Sequence, residues 1–142
     1  MFSKETKELL DELKGKNIDI NTYLESNSDS LIEINLKKFW NDVVNNSGMS
    51  KSDIINKSDF GYVYFYDVIN GRKIPSTDKI VRLALAMKMT LEQCQTALKY
   101  SGKSPLYPRL KRDSILIFAI NHNYNIYQTA ELLLNEGLEE LK

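Results

Sequence analysis

Three times in this chain a large apolar residue precedes a short polar one, and an Asp or Gln follows three places later. The sets are Met49-Ser50 with Asp53, Met89-Thr90 with Gln93, and Tyr124-Asn125 with Gln128. Each is the signature of a helix start. The polar side chain accepts an amide that the first turn leaves unpaired, the residue three further on reaches back, and the preceding apolar residue packs on one four places past the cap. Ile54 and Cys94 suit that packing role, and Thr129 suits it less well. Helices beginning at these points leave little room for sheet. The one β-friendly stretch, Gly61-Tyr62-Val63-Tyr64-Phe65-Tyr66, lies in a helical context.

Apolar spacing extends the helical reading. Leu36, Phe39, Trp40, Val43 and Val44 recur every three or four residues and line one face, with Trp40 assigned to packing and Gly48 ending the helix. The pattern predicts helices at about 3–13, from Leu31 or Leu36 to Asn46, and at 50–58, 62–69, 77–87, 91–100, 112–121 and 126–135. Residues 14–30 read as a polar loop with a short helical turn near Tyr23-Leu24, and Asp113 reads as an N-cap. Shifting residues 78–102 by 35 positions lays them on 113–137 without a gap. Asp78, Ile80, Ala84, Gln93, Leu98 and Gly102 then meet identical residues, which suggests two similar helical hairpins side by side.

Composition narrows the function classes. No apolar run approaches the roughly 18–20 residues of a membrane span, and no signal-peptide core follows Met1, so the expected place is the cytoplasm, with no membrane partner. Cys94 and His122 are the only residues of their types. They leave no internal disulfide and argue against a zinc or haem site, so no metal or cofactor is expected. No glycine-rich phosphate loop, ligand cluster or nucleophile elbow marks an enzyme. The net charge of zero hides an uneven distribution: −4 over residues 1–35, +7 over 36–113 and −3 over 114–142. A basic centre between acidic ends is a reason to consider a polyanion.

Residues 36–100 resemble the DNA-binding domain of the Xre-type (Cro/repressor-like) helix-turn-helix family. The resemblance is carried by Met49-Ser50-Lys51-Ser52-Asp53-Ile54-Ile55, by Asn70-Gly71-Arg72-Lys73-Ile74-Pro75-Ser76, by Ile80-Val81-Arg82-Leu83-Ala84 and by Met89-Thr90-Leu91-Glu92, with the family's spacing between blocks. The whole chain is similar to a bacterial subgroup, chiefly from Gram-positive anaerobes, with an acidic N-terminal helix and a C-terminal helical hairpin entered near Ser104-Pro105. This implies an all-α fold: a lambda-repressor-like bundle with an extra N-terminal helix and the hairpin. It divides the chain into an acidic arm at 1–30, the helix-turn-helix domain at 31–103 and the hairpin at 104–142.

The resemblance implies a transcriptional regulator on double-stranded DNA, with helix 62–69 in the major groove. Relatives of this type commonly dimerise, with half-sites about 34 Å apart. Carried over by position, Tyr62, Val63, Tyr66 and Asp67 would face the bases, and Ser50, Lys51, Arg72, Lys73 and Lys79 the phosphates. The base-facing set departs from the family, because no Arg, Gln or Asn stands in it and Asp67 replaces a usual cation. Arg109, Lys111 and Arg112 form a second basic knot, suited to DNA, to an acidic helix or to plain solvent. The competing reading is a protein-interaction adaptor or inhibitor on a degenerate scaffold, with Tyr62 and Tyr66 facing the partner.

Overall fold

The computed structural model describes residues 4–31 and 34–142. Among these the chain forms helices and no strand. It divides into two compact units, Met1–Ile34 and Asn35–Lys142.

In the first unit, α1 (Thr6–Leu13) has no buried residue, and Leu10 and Leu13 are exposed. The segment after it holds a full helix, α2 (Ile20–Ser26), where the sequence suggested only a turn. Asp19 explains the difference: its carboxylate accepts both the amide and the hydroxyl of Thr22 and so caps the start. A 3-10 turn follows at Ser28–Ser30, and the Ser30 hydroxyl accepts the Lys4 amide at 2.8 Å.

The second unit runs through α3 (Leu36–Asn46), α4 (Lys51–Ser58), α5 (Tyr62–Ile69), α6 (Thr77–Met87), α7 (Leu91–Tyr100), α8 (Lys111–Asn121) and α9 (Ile126–Asn135). The centre is α6, which buries Ile80, Val81 and every residue from Leu83 to Met87. It packs on α4, α7, α8 and α9, while α3 lies on α5 and α8 on α9. Trp40, Ile54, Phe65, Leu98, Leu116 and Leu133 share one continuous core, so the last hairpin closes the same interior as the earlier helices.

Start signals operate as paired bonds where the third residue of the helix is long enough. Thr90 and Gln93 exchange both capping bonds, as do Asn125 and Gln128. At Ser50 the hydroxyl accepts the Asp53 amide, and no reciprocal bond is seen among the described residues; Asp is a methylene shorter than Glu. The first core helix starts at Leu36, because Asn35 accepts the Lys38 amide at 3.1 Å. At α8 the expected cap is corrected. The cap position is Leu110, and Asp113 lies in the first turn, where it reaches back to the Tyr107 amide at 2.9 Å.

The internal echo has a geometric counterpart. Lys88 and Asn123, 35 residues apart, both take the left-handed conformation that breaks one helix from the next. The next amides return to equivalent carbonyls, Met89 to Ala84 at 2.9 Å and Tyr124 to Ala119 at 3.0 Å. Asp59 makes a third joint of this kind, with the Phe60 amide on Ile55. Thr129, the poorer apolar candidate, is fully buried and satisfies its hydroxyl on the Asn125 carbonyl at 2.8 Å.

Candidate nucleic-acid interface

The interface candidates gather on α5 and the segments around it. α5 is anchored from beneath by Phe65, Val68 and Ile69, all buried. Its end is held by two devices. Gly71 takes a φ of +76°, a conformation costly for any residue with a Cβ, and Asn41 on α3 donates to the Ile69 carbonyl at 2.8 Å. Its start is held by Arg82 of α6, which donates to the backbone carbonyls of Ser58 and Asp59 and lies 5.5 Å from the Phe60 ring centre. The local sequence carries no signal for Asn41 or Arg82 in these roles, since their partners lie 28 and 24 residues away.

With its underside fixed, α5 presents Val63 at 72% and Tyr62 at 66% exposure. Tyr66 is half-buried and pairs with Tyr62, ring centres 4.8 Å apart. A hydroxyl hydrogen bond with Tyr66 is the main influence raising the Tyr62 pKa; the charge of Tyr66 and burial add to it, and Lys51 opposes it. The phenol therefore stays neutral, a donor and acceptor, at ordinary pH.

Asp67 does not stand as a bare carboxylate. Its side chain is 18% exposed and accepts Arg72 at 3.3 Å, with the Lys73 ammonium at 3.6 Å. Its backbone carbonyl also accepts the amides of Arg72 and Lys73 at 2.8 and 3.2 Å. The two cations expected on phosphate thus share one neutralising acid, and the acid loses much of its repulsion toward a polyanion.

Lys51 and Lys79 sit differently. Lys79, in the first turn of α6, places its ammonium 4.2 Å from the Tyr64 ring centre, and Lys73 approaches the same ring at 5.6 Å. Lys51, the first residue of α4, lies 5.6 Å from the Tyr66 ring. The Ser50 hydroxyl is occupied by its own cap. Cations from α4, the α5–α6 loop and α6 therefore surround α5. Lys57, a further cation of α4, lines a separate groove of about 410 Å³ with Met49, Met87 and Lys88.

The second basic knot is divided. Arg112 makes a two-point contact with Asp78, at 2.9 and 3.0 Å, and donates to the carbonyls of Glu139 and Glu140. Burial pushes the Asp78 carboxyl upward. The Arg112 hydrogen bond, the Lys142 amide and the charges of both residues outweigh it and hold the pKa below the usual carboxylate range. Lys111 pairs with Glu136 at 3.2 Å, and Arg109 is exposed. Elsewhere, burial pushes the Cys94 thiol up to about 12, so it is no nucleophile.

No protein-family model, curated protein or solved structure matches this chain. Among the described residues the chain is all-helical, and no described helix is long and apolar enough to cross a membrane.

Proposed function

We propose that this protein is a DNA-binding regulator of the Xre type, acting by binding and without catalysis in the cytoplasm. In this reading α3–α7 form a lambda-repressor-like bundle, α4–α5 its helix-turn-helix, and α5 enters the major groove. The observation that carries it is the ring of cations around an exposed helix: Lys51, Lys73 and Lys79 come from separate segments and converge on the tyrosines of α5. A helix rooted in the core, with cations to either side, suits a groove flanked by phosphates. Pairing into a dimer would bring two such helices to successive turns of the duplex.

The test is fluorescence anisotropy on a duplex from the region upstream of its own gene, titrated at several salt concentrations. Affinity is expected to fall steeply and linearly on a log–log salt plot. Lys51→Ala/Lys79→Ala should weaken binding on every sequence and reduce the slope by about 2, because each phosphate contact releases close to one counterion. A protein that binds no duplex at physiological salt would overturn the proposal.

A second reading is favoured by one observation. Tyr62 and Val63 are large apolar groups that stand well into solvent, as they would on a protein-binding surface. A protein adaptor would show no salt-steep DNA binding at all.

A further inference from the structure

We infer that Tyr64 and Tyr66 are positioning residues for phosphate contacts and that neither reads a base. The inference rests on the duplex-binding reading above; it takes Tyr66 away from the base contact its position suggests and gives Tyr64 a task the sequence did not assign it.

Tyr64 is half-buried and already fixed by the core, since its ring lies 5.6 Å from Phe60. Two lysines approach that ring, Lys79 at 4.2 Å and Lys73 at 5.6 Å. The negative face of an aromatic ring attracts an ammonium and restrains a long side chain that would otherwise lose rotamer freedom on binding. Two cations on one ring also repel each other. Asp67 offsets part of this at Lys73, 3.6 Å away, and no acid is seen on Lys79 among the described residues. A phosphate oxygen is the guest that relieves the rest. Tyr66 repeats the arrangement with Lys51 at 5.6 Å, its ring steadied by Phe65 and Tyr62.

The consequence is a division of labour. Tyr64 and Tyr66 work through lysines on the sugar–phosphate backbone, and the exposed residues Tyr62 and Val63 are left to meet base edges. Of these, Val63 offers only methyl groups, whose natural counterpart in the major groove is the thymine methyl.

The experiment is a double-mutant cycle on the full chain, read by anisotropy on the same duplex. Tyr64→Leu should weaken binding about fivefold in the wild-type background, in line with losing two cation–ring contacts. Tyr64→Phe, which keeps the ring, should stay within about twofold. In a Lys73→Ala/Lys79→Ala background, Tyr64→Leu should cost almost nothing more, because the lysines it serves are gone. An equal loss in both backgrounds would make the ring a packing element alone and overturn the inference while leaving duplex binding intact. Failure of the wild type to bind duplex would remove both. Proton NMR of the Lys79 side chain gives a readout without DNA: its ε-methylene should be shifted upfield by the ring current in wild type and Tyr64→Phe. An unshifted signal in the wild type overturns the inference even where Tyr64→Leu fails to fold.

Discussion

Around α5 the ammonium groups of Lys51 and Lys79 rest against tyrosine rings, while at the start of α8 the guanidinium of Arg112 is gripped by Asp78 and two backbone carbonyls. In the sequence these are comparable basic clusters. In the fold one remains available to an outside anion and the other is spent inside the chain. The difference lies in the partner. A ring attracts a cation weakly and leaves its hydrogen-bond donors open, whereas a two-point carboxylate contact occupies them. Arg112 therefore acts as a structural clasp, tying the start of α6 and the start of α8 to the closing segment 136–142. Arg72 and Lys73 are intermediate: they stay largely exposed but share Asp67.

The largest expected effect breaks the clasp. Arg112→Ala should lower unfolding stability by about 2–3 kcal/mol in urea titrations, less than for a fully buried pair because both partners keep some contact with water. Its effect on DNA affinity per folded molecule should be negligible. The pH dependence has a defined sign. The folded Asp78 pKa is depressed, so its contribution is present above the unfolded value of about 4 and lost as pH falls through the lower folded value. The stability gap between wild type and Arg112→Ala should therefore begin to narrow as pH falls below about 4. A gap that stays constant from neutral pH to about pH 3 would show that the ion pair is not its source.

An intermediate effect sharpens the comparison from the other side. Asp67→Asn removes the acid shared by Arg72 and Lys73 and should make that corner behave like Lys79. Duplex affinity at low salt is expected to rise about threefold to tenfold and the salt dependence to steepen. Unchanged affinity would mean that Arg72 and Lys73 do not face the DNA. The smallest effect concerns Arg109, the exposed member of the α8 knot. Arg109→Ala should change stability by less than about 0.5 kcal/mol and leave the salt slope alone. A slope reduced by about 1 would give that knot a phosphate contact.

The helices were largely readable because their signals are local. Ser50, Thr90 and Asn125 act within one turn, and the apolar stripe of α3 repeats within a few residues, so each can be recognised from a short window. The echo between 78–102 and 113–137 was readable from identities at one fixed offset, whereas the left-handed joints that accompany it, at the unlike residues Lys88 and Asn123, show only in the fold. The failures were also local in form but decided elsewhere. α2 was missed although Ile20, Tyr23 and Leu24 stand at helical spacing, because it is only seven residues long and its cap, Asp19, lies in a polar stretch. Asp113 looked like a cap, yet its carboxylate went to the Tyr107 amide, six residues back. In the candidate interface, position picked out Tyr62 and Val63 as exposed. It gave no warning that Asp67 would be neutralised or that Tyr64 would hold two lysines.

By itself the sequence determined the helical character of the chain, most helix boundaries, the core stripe of Trp40, Val43 and Val44, and the uneven distribution of charge. Each follows from interactions between residues a turn or less apart, or from simple counting. The tertiary structure alone decided which cations are spent and which remain available. Asp78 and Arg112 are 34 residues apart, Arg82 and Ser58 are 24 apart, and Lys79 on α6 meets the ring of Tyr64 on α5 only in the folded chain. Charges attract over short distances in space, and only the folded core sets those distances.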